Sequence, residues 1–120
     1  MKAEDKKGSN KTISDVENIR VRHGKGVECS VTGVIYKGDW YNGKKHGNGM
    51  LFLPNGDRYV GEYVQGVRQG EGIYKFANGT EYRGQFKTGV MHGRGQFKHL
   101  DGYIEVGEFE NGNIVVTHSL

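Results

Sequence analysis

Residues 36–56 read YKGDWYNGKKHGNGMLFLPNG, and the fold is decided in this stretch. Glycine is crowded beside tyrosine and tryptophan in a spacing that suits neither a helix nor an ordinary strand. A glycine inside a regular element weakens it by about 0.5–1 kcal/mol relative to alanine, so the stretch must recover stability from something that only glycine permits. Glycine is in excess along the whole chain, at 21 of 120 residues, which points to a backbone requirement met again and again.

The requirement recurs with a fixed period. Gly33, Gly56, Gly79 and Gly102 are each 23 residues from the next. In the same frame fall Tyr36, Tyr59 and Tyr82, then Gly38, Gly61, Gly84 and Gly107, then the rings Trp40, Tyr63, Phe86 and Phe109. Gly43, Gly66, Gly89 and Gly112 follow, and after them the pairs Gly47/Gly49, Gly70/Gly72 and Gly93/Gly95. The spacing divides the chain into a polar amino-terminal segment (1–22), a repeat domain (23–116) and a short tail (117–120). Within the domain lie a degenerate half repeat (23–32), three whole repeats (33–55, 56–78, 79–101) and a partial repeat (102–116). The pattern Y-x-G-x-[WYF]-x-x-G-x-x-x-G-x-G resembles the MORN (membrane occupation and recognition nexus) repeat over roughly three quarters of the chain. The fourth copy departs from it with Glu105 in place of tyrosine.

Each unit holds two short runs, IYKGDWY and GNGMLFL in the first, joined through Asn42-Gly43 and a glycine-spaced connection and closed by a PNG turn. These are β-hairpins, in which Asn42-Gly43, Asn55-Gly56, Asn78-Gly79 and Asn111-Gly112 are expected to supply positive φ angles. Alternation sends Tyr36, Gly38 and Trp40 to one face with Gly49, Leu51 and Leu53, and Lys37, Asp39, Met50 and Phe52 to the other. A ring laid over a glycine of the neighbouring strand covers backbone that a Cβ would obstruct. The fold class is therefore all-β: an elongated, single-layer antiparallel meander of repeated hairpins, stabilised between neighbours, with columns of rings along one face. Ser14-x-x-Glu17 could open a short helix, and that helix or the strand at 19–21 is a candidate cap for the amino-terminal end.

Composition and motif point away from catalysis. His23, His46 and His92 recur in register, but repeats about 9–10 Å apart cannot bring them to one metal ion, so no metal site and no cofactor is expected. Asp39, Glu62 and Glu108 share a column with Gln85 and are read as a solvated charge row. Cys29 stands alone and is read as a small, partly buried residue. The glycine pairs enter strands and do not continue into a phosphate loop. Net charge is +3, with basic residues scattered singly or in pairs among acidic ones, which supports only weak contact with anionic lipid and none with nucleic acid. The amino terminus lacks an apolar run, so the expectation is a soluble, intracellular, cytoplasmic protein.

The function expected is a non-catalytic interaction module that holds an extended or helical segment of a partner protein along the aromatic face. Its contact residues are expected to be Trp40, Leu51, Leu53, Tyr63, Tyr74, Phe76, Phe86 and Phe97, with Tyr63 and Tyr74 central. Against this stands the plainer reading that the rings only stabilise the sheet. Peripheral membrane attachment through phosphoinositides is the alternative function, and self-association through open strand edges such as Ile114-Val115-Val116 is a third. The resemblance to MORN proteins implies scaffolding or adaptor roles at membranes, the cytoskeleton or cilia.

Overall fold

The computed structural model describes residues 23–118, all in one antiparallel sheet whose nine strands pair in chain order. They are β1 (Gly24–Cys29), β2 (Ile35–Tyr41), β3 (Lys44–Phe52), β4 (Arg58–Val64), β5 (Val67–Lys75), β6 (Glu81–Lys87), β7 (Val90–Lys98), β8 (Ile104–Glu110) and β9 (Asn113–His118). No helix occurs among the described residues. The expected meander is thus the observed fold. The expectations for the segment 1–22, a helix or a capping strand, lie outside the described residues.

Two kinds of turn alternate. Within a repeat, two successive residues take positive φ: Asn42 and Gly43 (53° and 81°), Gln65 and Gly66 (48° and 87°), Thr88 and Gly89 (51° and 84°), Asn111 and Gly112 (52° and 85°). Between repeats only the glycine does so, as at Gly56 (97°), whose N–H donates to the carbonyl of Leu53 at 3.0 Å. Asn55 and Asn78 therefore play a different part from the one expected of them: their side-chain oxygens accept the N–H of Asp57 and Thr80, both at 2.9 Å.

The second strand of each repeat also starts earlier than the sequence suggests. Lys44, Lys45 and His46 belong to β3, and the expected glycine-spaced connection lies inside the sheet. A bulge accommodates it. Between the pairs Gly38↔Gly49 and Trp40↔Lys45, β2 has one residue, Asp39, and β3 has three, His46, Gly47 and Asn48. The same irregularity recurs at Glu62 and Gln85.

The core follows from that bulge. Tyr36, Tyr59 and Tyr82 are fully buried, each ring lying over a cross-strand glycine pair. Their hydroxyls donate to the carbonyl oxygens of Asp39 (2.8 Å), Glu62 (2.9 Å) and Gln85 (2.7 Å), the residues at the bulge. The second ring of each repeat interleaves with these tyrosines. Trp40, Tyr36, Tyr63, Tyr59, Phe86, Tyr82 and Phe109 form one continuous zigzag with neighbouring centroids 4.9–5.4 Å apart and planes near perpendicular. Edge-to-face pairs of this kind contribute about 0.5–1.5 kcal/mol each beyond burial. Two separate columns were expected; meshed in this way, each ring closes the gap between two others. Glu105 ends the zigzag, its carboxylate 3.0 Å from His99 Nε2. The last repeat nonetheless completes a hairpin, since β9 runs to His118, past the boundary expected at 116.

Replacing Tyr59 by Phe keeps the ring and strands the Glu62 carbonyl, so we expect a loss of about 1–3 kcal/mol in chemical denaturation with the β circular-dichroism spectrum retained. Gly61→Val should unfold the flanking hairpins, because a Cβ there would lie 2.5 Å from the Gly72 Cα and 2.6 Å from the Tyr59 hydroxyl. A protein carrying valine at 61 that melts like the parent would refute the ring-seat explanation of the glycines.

Candidate functional site

The eight residues expected to bind a partner divide into two groups. Trp40, Tyr63 and Phe86 are 7%, 3% and 5% exposed and belong to the zigzag core. Leu51, Leu53, Tyr74, Phe76 and Phe97 are half-buried on the same face. Tyr74, Phe76, Phe97, His99 and Tyr103 make a second row of rings beside the buried one, with successive centroids 4.7, 6.1, 4.9 and 5.5 Å apart. The row exists because the second strand of each repeat places its aromatic residues near the inter-repeat turn, away from the tyrosine seats.

Tyr74 is the best anchored of this row. Its hydroxyl donates to Asp57 Oδ2 at 2.8 Å, and Asp57 Oδ1 accepts the Ala77 N–H at 2.7 Å, which ties two inter-repeat turns together. Burial pushes the Asp57 carboxyl up, and the hydrogen bonds from Tyr74, Ala77 and Asn55 outweigh it, so its pKa lies below the ordinary carboxylate range.

One column escaped sequence reasoning. Lys45, Arg68, Met91 and Ile114 are 23 residues apart, and in the structure they pair across the strand with Trp40, Tyr63, Phe86 and Phe109. The Lys45 ammonium lies 5.4 Å from the Tyr36 ring and 5.9 Å from the Trp40 ring. The Arg68 guanidinium lies 5.7 Å from Tyr59, 5.4 Å from Tyr74 and 5.9 Å from Phe86, and donates to the Gly89 carbonyl at 2.7 Å. Composition alone leaves these two cations among the scattered basic residues. Their common period was the available signal.

Two other columns change meaning. The row Asp39, Glu62, Gln85 is not simply solvated: each side chain folds over a bulge glycine and accepts a backbone N–H, of Asn48 (3.0 Å), Glu71 (3.0 Å) and Arg94 (2.8 Å). An acceptor is needed there and a charge is not, which is why glutamine can stand in the row. Lys25 at 2.6 Å and the Asn48 N–H hold the Asp39 carboxyl below its usual range. His23 and His46 likewise accept, through Nδ1, the N–H of Asn42 (3.2 Å) and Gln65 (3.3 Å), and Gln69 does the same for Thr88 at 2.8 Å. These contacts serve the left-handed turns. His46 lies in strand β3. Among the described residues no cluster of histidine, cysteine or carboxylate side chains could hold a metal ion, and Cys29 is exposed where partial burial was expected.

The opposite face carries a hollow of about 230 Å³ lined by Met50, Phe52, Arg58, Val60, Ile73 and Lys75. By register it also carries Lys37, Arg83 and Lys98.

A single-layer sheet of 23-residue hairpin repeats, with a tyrosine seated on a glycine pair in each whole repeat, defines a repeat protein of open architecture. The model of the MORN repeat matches residues 21–34, 36–58, 59–81 and 82–102, and the chain belongs to the MORN repeat family. No curated protein matches it. The MORN repeat is a non-enzymatic module, generally associated with protein or membrane interaction. Among the described residues no helix is long and apolar enough to cross a membrane.

The buried phenols make stability depend on alkaline pH. Burial raises Tyr59, Tyr74 and Tyr82 to about 12, with the Asp57 carboxylate adding to the rise at Tyr74. An unfolded tyrosine ionises near 10, so these groups hold protons that the unfolded chain gives up. Their contribution is complete below about pH 10 and falls away as pH rises through about 12. We expect the denaturation midpoint to drop steeply over that window, with tyrosinate absorbance appearing together with loss of the β spectrum. Early ionisation of the whole tyrosine complement in a still-folded protein would contradict the seating.

Proposed function

We propose that the protein is a non-catalytic scaffold module that holds a segment of a partner protein across the half-exposed part of its aromatic face. One observation carries this reading: the row Tyr74, Phe76 and Phe97, continued by Leu51 and Leu53, lies on a single-layer sheet with no second layer over it among the described residues. A contiguous, partly exposed apolar row of this kind is a recognised form of docking surface. The buried rings Trp40, Tyr63 and Phe86 act beneath it as a rigid floor, so the central contact passes from Tyr63 to Tyr74 and Phe76. Rigid aromatic side chains suit this role because little of their conformational freedom is lost on binding.

Attachment to anionic membranes is the second reading, and it would use the other face. Lys37, Arg58, Lys75, Arg83 and Lys98 lie there, which is more cationic charge than the aromatic face presents.

Affinity capture from native extract, followed by mass spectrometry with the parent protein and variants side by side, separates the two. Phe76→Ser, in a protein shown to be folded, should weaken capture of the partner by about 1–3 kcal/mol, whereas Lys98→Ala should leave it nearly unchanged. Flotation with phosphatidylserine vesicles should show weak association that disappears as salt shortens the screening length to about 4 Å near 0.5 M. Capture that ignores Phe76 and depends on Phe52, Lys75 and Lys98 would transfer the function to the other face.

A further inference from the structure

Between the first two whole repeats the aromatic face is indented by a notch of about 290 Å³, lined by Val34, Lys45, Leu51, Tyr63, Val67 and Arg68. Three features of its lining are unexplained by the fold. Lys45 and Arg68 flank it, and neither forms an ion pair with a carboxylate among the described residues. The Lys45 ammonium lies against the Tyr36 and Trp40 rings, and Arg68, which donates to the Gly89 carbonyl and contacts the Tyr74 hydroxyl, has further donors on its five-N–H guanidinium. The third feature is the Tyr63 hydroxyl, buried with no hydrogen-bond partner.

That hydroxyl is not needed by the repeat. The equivalent positions hold Trp40, Phe86 and Phe109, so a ring without a phenolic oxygen serves the zigzag equally well. A buried donor left unpaired destabilises the unoccupied protein. The cations are local in the same way, because their column continues as Met91 and Ile114. Among the described residues, two cations without a carboxylate partner and one buried hydroxyl without a hydrogen bond therefore line a single notch.

We propose that this notch receives the carboxylate of a glutamate or aspartate side chain carried by the partner segment, bound by Lys45 and Arg68 and by the Tyr63 hydroxyl. The proposal rests on the reading of the aromatic face as the docking face and deepens it by naming the anchor. Lys45, whose ammonium lies against two rings at the end of a flexible stem, is the side chain that swings to admit the carboxylate to the hydroxyl. The rest of the lining is Val34, Leu51 and Val67 with the turn glycines Gly66 and Gly89, so the acidic residue enters beside apolar side chains, where a charged hydrogen bond is strong. A lipid headgroup fits less well, since it would meet only two cations here, beside rings.

The test uses the full chain as bait for a random-peptide phage library. Selected peptides are expected to combine apolar residues with an acidic one, and changing that residue to its amide in the strongest binder should weaken binding about tenfold or more. In Lys45→Met the acid and amide forms should bind with nearly equal affinity, and Arg68→Met should act likewise if it folds. Tyr63→Phe should raise the melting temperature and still weaken the acidic peptide by about threefold to tenfold, opposite signs that a merely structural tyrosine would not produce. Peptides that are lost with Phe76→Ser but show no preference for an acid overturn the notch and leave the docking face standing. Peptides indifferent to Phe76, or none selected at all, overturn both. Phosphatidylserine vesicles that bind the parent and are lost with Lys45→Met would assign the notch to a lipid headgroup and also overturn the proposal.

Discussion

A tyrosine ring pressed onto two cross-strand glycines, with its hydroxyl bonded to the carbonyl three residues ahead, is the contact on which this structure depends. The bulge that frees that carbonyl also puts two extra residues into the second strand, which would otherwise leave a backbone N–H unpaired. Asp39, Glu62 and Gln85 close that gap by accepting it. Ring, bulge and acceptor thus form a single device, repeated at Tyr36, Tyr59 and Tyr82. Where the tyrosine is replaced, at Glu105, the device and the ring zigzag end together.

From the device comes a core only one ring deep. Among the described residues no second layer covers the sheet, and stability is shared between neighbouring hairpins through edge-to-face rings. The consequence for function is geometric. Rings seated on glycine are withdrawn from the surface and serve as a floor, and the side chains that stay half-exposed on this face lie in the second strand or just past it, near the inter-repeat turns: Leu51, Leu53, Tyr74, Phe76 and Phe97.

The middle of the chain breaks the repeat symmetry in ways that stability does not require. Lys45, Arg68 and the hydroxyl of Tyr63 occur in one notch, while corresponding positions elsewhere hold Met91, Ile114, Trp40, Phe86 and Phe109. Asp57, too, stands alone as a buried carboxylate among the described residues, tying the turn before β4 to the one before β6. In a protein made of near-identical units, a local departure from the common pattern is where a particular partner can be told from others.

The sequence by itself determined the period, the hairpins and the sorting of side chains between two faces, because each of these follows from alternation and turn chemistry within a single strand or turn, and the recurrence of ring and glycine on one face marked the seats. It also marked the five surface contact candidates together with three that prove to be core. What separates Tyr63 from Tyr74 is not composition but depth, and depth depends on which residue of the next hairpin lies opposite. The two-residue shift between Gly38↔Gly49 and Trp40↔Lys45 decides that. The tertiary structure alone decided the interleaving of the two ring columns, the use of acidic, glutamine and histidine side chains as backbone acceptors, and the meeting of Lys45, Tyr63 and Arg68. All three depend on cross-strand register, which a bulge alters and a periodic pattern does not record.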